Sequence, residues 1–175
     1  MRVTLALAGI AVAFASAPLR AQKAAAPLND ATIVAIFDAA NTFDIETSNL
    51  ALKKAQSQDT KDLASQFVTA HTSVRHQGRD LAKKLHVTPT PPKPFALAEA
   101  HAKAMLQLHA ASGAAFDKAY VAHEVAYHQA VIDAVTGTLL PAIQNAELKA
   151  FVQSVAPAFQ AHLATAKELQ AKLGQ

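Results

Sequence analysis

Cysteine and tryptophan are both absent from the 175 residues, and glycine occurs five times. Without a thiol the chain forms no disulfide, no thiolate zinc site, no iron–sulfur cluster and no c-type haem attachment. Scarce glycine beside abundant Ala, Leu, Gln, Lys and Glu points to an all-α protein. No Lys/Arg block is present. The formal charge of +3 includes Arg2 and Arg20, near the N-terminus, and the rest is near neutral and mixed in sign. That balance excludes nucleic acid as the expected partner. The length fits one domain with a real core.

One long apolar run occurs, Val3–Ala15, preceded by Arg2 and followed by small residues. This is the pattern of a secretory signal peptide, and the run is too short for a comfortable membrane span. Cleavage is expected after Ala17 or Ala21. Pro18 disfavours the first, so residues 1–21 are read as signal peptide. Residues 22–28 then form a flexible leader, and 29–173 form the domain. No Cys follows the cleavage site, so no lipid anchor is expected. The mature chain is expected to be exported and soluble, in the periplasm of a two-membrane bacterium, without stable membrane insertion.

Apolar residues recur at helical spacing through the rest of the chain. The first helix is expected from Asn29 or Asp30 to about Gln56, with Ile33, Ile36, Phe37, Ala40, Phe43 and Leu50 as its stripe. A second, capped by Asp59 or Thr60, runs to about His86. Val87–Pro94 contains four prolines and cannot be helical. Phe95–Ala111 reads as a short crossover helix, ended by Ser112-Gly113. A third long helix follows from Ala114 past Val135. The last begins at Asn145 or Ala146 and ends near Leu173.

Each long helix carries an ionisable residue on or beside its apolar stripe. Glu124 and His128 stand at i and i+4 among valines, within about 40° of one another. His71 lies about 40° from Phe67, and His162 lies between Val155 and Leu169 in angle. Glu46 falls between Phe43 and Leu50. Antiparallel neighbours bring these positions to similar depth. A layer of carboxylates and imidazoles inside a four-helix bundle is how bundles build metal sites. Glu46, His71, Glu124, His128 and His162 are therefore the candidate ligands, for zinc, iron, copper or manganese. The alternative is a metal-free buried polar layer that fixes helix register, in a structural or interaction module of the cell envelope. A site for a small organic ligand ranks behind both. The Glu-x-x-His pair of di-iron bundles is absent, so ferroxidase or oxygenase chemistry is not expected. No nucleophile, base and acid can be picked out, and an enzyme is the least supported reading.

Four segments carry a resemblance: AANTFDIETSNLALKKAQ, LASQFVTAHTSV, SGAAFDKAYVAHEVAYHQAV and ELKAFVQSVAPAFQAHL. Together they resemble the bacterial domain of unknown function 4142, over roughly Ala31–Leu169. The resemblance implies a ferritin-like four-helix bundle with an export signal, and no established activity. The family's recurring Glu, two His and Pro…His fall on Glu46, His71, His128 and Pro157/His162. Two positions depart from the family pattern. Ala70 stands where an Asp usually precedes the helix-two histidine, and Glu124 stands where Met is common. The family's frequent label of outer membrane protein fits poorly, because nothing in the sequence alternates as barrel strands do.

Overall fold

The computed structural model describes residues 28–174. The expected signal peptide and residues 22–27 of the leader lie outside the described residues. Among the described residues five helices make up the fold: α1 Asp30–Lys54, α2 Gln58–Lys84, α3 Ala96–Ala110, α4 Gly113–Ala134 and α5 Ala146–Lys172. A π-helical turn, Val135–Leu139, and a last α-turn, Leu140–Ala142, prolong α4. The described residues contain no strand, and none of their helices is long and apolar enough to cross a membrane.

α1 packs along α2, and α4 along α5; contacts of α2 with α5 and of α1 with α4 close a four-helix ring. The fold is a ferritin-like four-helix bundle. The proline-rich stretch leads into α3, which lies against α1 and α4 as the expected crossover. Gly113 turns the chain from α3 into α4 with φ +60°, a conformation that glycine adopts without steric penalty.

Capping explains the turns. Asn29 caps α1 by accepting from the Thr32 amide at 2.9 Å, and Asn145 caps α5 by accepting from Glu147 and Leu148. α2 differs from the expected Asp59 or Thr60 cap: it starts at Gln58, and Ser57 supplies no side-chain cap. Asp117 of α4 does that work from across the bundle. Its carboxylate accepts from the amides of Gln56 and Ser57 at 3.0 and 2.9 Å. Asp30 treats the α4–α5 turn the same way, accepting from Gln144 and Asn145 at 2.9 Å each. Backbone donors left free where helices break are thus satisfied by carboxylates of other helices.

The apolar core is divided in two. One cluster gathers Ile33, Phe37, Leu139, Val152 and Phe159, among others; the second gathers Ala51, Leu63, Phe67, Phe116, Tyr120 and Leu169. Between them lie buried Asn41, Asp44, Thr47, Ser48, His71, Glu124, His128 and His162. The bundle therefore has a polar waist with a hydrophobic plug on each side.

Candidate metal centre

The waist is built from Asn41, Asp44, Thr47 and Ser48 of α1, His71 of α2, Glu124 and His128 of α4, and His162 of α5. His71 of α2 sits at its centre. Its Nε2 is 3.3 Å from His128 Nε2, 3.2 Å from His162 Nδ1 and 3.3 Å from Asp44 Oδ2. His128 Nε2 is 3.6 Å from the same Asp44 oxygen. Phe67 is fully buried and floors the cluster, its ring centroid 4.8 Å from His128 and 4.7 Å from His162. Phe159 stacks on His71 at 5.6 Å.

The outer hydrogen bonds orient the rings. Asn41 donates its amide to the Phe37 carbonyl at 2.8 Å, which leaves its Oδ1 as acceptor for His71 Nδ1 at 2.9 Å. His71 thus carries its proton on Nδ1 and turns the Nε2 lone pair inward. His128 Nδ1 donates to the Glu124 carbonyl at 3.0 Å, so its Nε2 lone pair also faces the centre. An acceptor on the far ring nitrogen, which fixes the imidazole tautomer, is the usual support of a metal-ligating histidine. Asp44 Oδ2 is buried and has no hydrogen-bond partner despite the two imidazole nitrogens beside it. Lone pairs facing a carboxylate oxygen with no proton between them are mutually unfavourable unless a proton or a cation occupies the space.

Burial sets the charge. It holds His71 down to about 2, helped by His128 and His162, and His128 down to about 4; it lowers His162 as well. Burial pushes Asp44 up to about 7, partly offset by hydrogen bonding from Ser48 and from Glu124. Glu124 is raised further, by burial and then by the nearby Asp44 charge. At neutral pH the imidazoles are therefore neutral and competent as ligands.

Of the residues expected from sequence, the structure brings His71, Glu124, His128 and His162 into this layer. Glu46 stands apart from it. Its side chain is half exposed and meets His101 of α3 at 2.7 Å, on the face where Phe43 stacks on the same His101 ring. Asp44 occupies the place expected for Glu46. Glu124 approaches His128 from the Nδ1 side, with Oε2 at 3.5 Å, and its Oε1 accepts from Thr47 at 3.1 Å. It stands behind that imidazole, and its Oε2 is buried with no hydrogen-bond partner. The three histidines form one group whose ligand atoms lie within 4.8 Å of one another; Asp44, Glu124 and His128 form a second.

A four-helix bundle with a crossover helix and a His/carboxylate waist defines the class of protein. Residues 15–169 match the model of a domain of unknown function, DUF4142, and the chain belongs to that family. Among solved structures, a DUF305 protein of Streptomyces coelicolor, described as secreted, is similar. The two share 12% identity over 83% of this chain and 93% of that one, with a TM-score of 0.69, a likeness of fold. No curated protein matches the chain.

Proposed function

We propose that the protein is an exported bundle that holds one transition-metal ion at its waist, in metal handling or stress protection of the cell envelope. The ligands are Asp44, His71, His128 and His162. One observation carries this reading. Metal–ligand distances of about 2.0–2.2 Å place the vertices of a tetrahedron about 3.3–3.6 Å apart, and four of the six separations among these ligands, the three from His71 and the one between His128 and Asp44, are 3.2, 3.3, 3.3 and 3.6 Å. Three neutral imidazoles with one carboxylate suit zinc, iron, copper or manganese. Glu124, kept protonated beside Asp44, is a supporting acid in this arrangement. Export rests on the N-terminal signal pattern and on the description of the DUF305 protein as secreted; periplasmic residence follows if the host has two membranes.

Elemental analysis of protein purified without a tag tests the proposal, together with melting curves in the presence of Zn²⁺, Cu²⁺, Fe²⁺ and Mn²⁺. The expected result is close to one equivalent of metal and a rise in melting temperature with at least one ion. No retained metal and no rise with any of the four would overturn it.

A second reading has its own supporting observation: His162 Nδ1 lies at hydrogen-bond distance, 3.2 Å, from His71 Nε2. With the carboxyls protonated, the waist is then a neutral polar layer that fixes helix register in an interaction module. On that reading His71→Leu combined with His162→Leu is tolerated or stabilising in the presence of metal. On the metal reading the same pair abolishes the metal-dependent rise.

A further inference from the structure

A pocket of about 170 Å³ opens beside the waist, between α1 and α4 and partly under α3. Ile36, Phe37, Val131, Val135, Leu139 and Phe159 form most of its wall, and the rings of His71 and His128 border it. The polar groups on its border are already committed. Asn41 bonds Phe37 and His71, the Tyr127 hydroxyl donates to the Ala40 carbonyl at 2.8 Å, and His128 Nδ1 donates to the Glu124 carbonyl. The walls present almost no polar surface. Water entering would find few partners, and a polar guest would lose its hydrogen bonds without replacement. The π-helical turn supports the same place: its first and last residues, Val135 and Leu139, both line the pocket. Such turns inside regular helices are frequent at functional sites.

We propose that this pocket binds a small uncharged apolar molecule, an aromatic ring or short hydrocarbon of about benzene's size, against the imidazoles of the waist. An apolar cavity of about 150 Å³ is enough for benzene or xenon. The site shares only the outer faces of His71 and His128 with the ligand set of the metal reading and needs no metal, so it is tested on the metal-free protein in EDTA. The probes are benzene, xenon and benzoate. Benzene at ten times its dissociation constant raises the melting temperature by about 3–5 °C, and dissolved ¹²⁹Xe shows a concentration-dependent shift. Benzoate, the same ring with a charge, binds at least tenfold more weakly. Two filling variants, Ala40→Leu and Val131→Phe, keep the helical circular dichroism and lose at least tenfold in benzene affinity; if one fails to fold, the other decides. Absence of both the benzene and xenon effects in the wild type overturns the proposal. So does undiminished benzene binding in the folded filling variants, or benzoate binding equal to benzene.

Discussion

Replacing Asp44 by Asn separates what the waist costs from what it does. The side chain is fully buried, and its carboxyl is pushed from 3.8 to about 7. A raised carboxyl favours folding below its unfolded value, and that contribution is lost as pH rises through the folded one. At pH 8 the metal-free fold therefore carries a penalty of roughly 4 kcal/mol, at about 1.4 kcal/mol per pH unit. Asparagine removes the ionisation and keeps an oxygen for Ser48, which bonds Oδ1 at 3.3 Å. Its buried amide still costs about 1–3 kcal/mol where unsatisfied. The net expectation in EDTA at pH 8 is a gain of about 2 kcal/mol, or roughly 4–8 °C in melting temperature. The gain falls with pH, crosses zero at about pH 5, and by pH 3.8 leaves only the amide cost of about 1–3 kcal/mol against the variant. In Zn²⁺ the order reverses: the wild type gains from the ion, and the variant loses most of that gain. Melting curves followed by circular dichroism, with and without metal, measure both differences. The reasoning is refuted if the variant in EDTA is several kcal/mol less stable than wild type, because Asp44 would then be held by partners that its burial and orphaned oxygen deny. A full Zn²⁺ response in the variant refutes it equally.

Glu46→Gln should change neither metal stoichiometry nor stability beyond about 0.5 kcal/mol, because Glu46 is half exposed and faces α3; urea unfolding and metal analysis check this. Phe67→Ala should cost about 3–5 kcal/mol, visible as a fall of at least 6 °C in melting temperature, since the ring is fully buried beneath two imidazoles. Acidification from pH 6.5 toward 4 should destabilise the metal-free protein. The unfolded chain takes protons on His71, His123, His128 and His162, all lowered in the fold, while Asp44 and Glu124 oppose this as two groups against four. Chemical denaturation at pH 4.5 and 6.5 gives the sign, and equal or higher stability at the lower pH would contradict these shifts.

Much of the fold was legible in the sequence because helical periodicity, proline and capping residues act locally. The four long helices, the crossover and the breaks at Val87–Pro94 and Ser112-Gly113 needed nothing further. His71, Glu124, His128 and His162 were legible because each sits in a stripe with one dominant apolar face. Glu46 misled because α1 has two such faces. Ile33, Phe37 and Ala51 face the bundle core, whereas Phe43 faces α3 and stacks on His101. Asp44 lies within about 20° of Ile33, Phe37 and Ala51 at 100° per residue, and Glu46 lies on the far side. Depth carried a second signal: Asp44 stands 13 residues before Ser57 and His71 stands 14 after it, whereas Glu46 stands 11 before. The caps from Asp117 and Asp30 were not legible, because each depends on a contact between residues distant in the chain. The π-turn likewise has no local marker beyond Gly137.

The central claim is that the three imidazoles and Asp44 hold one ion. X-ray absorption spectroscopy of protein loaded with Zn²⁺ and dialysed against metal-free buffer tests it most directly. The account predicts close to one equivalent retained, with four nitrogen or oxygen neighbours at about 2.0–2.2 Å and the multiple-scattering signature of three imidazoles. A protein that retains no zinc, or zinc in a shell without imidazole, would contradict it.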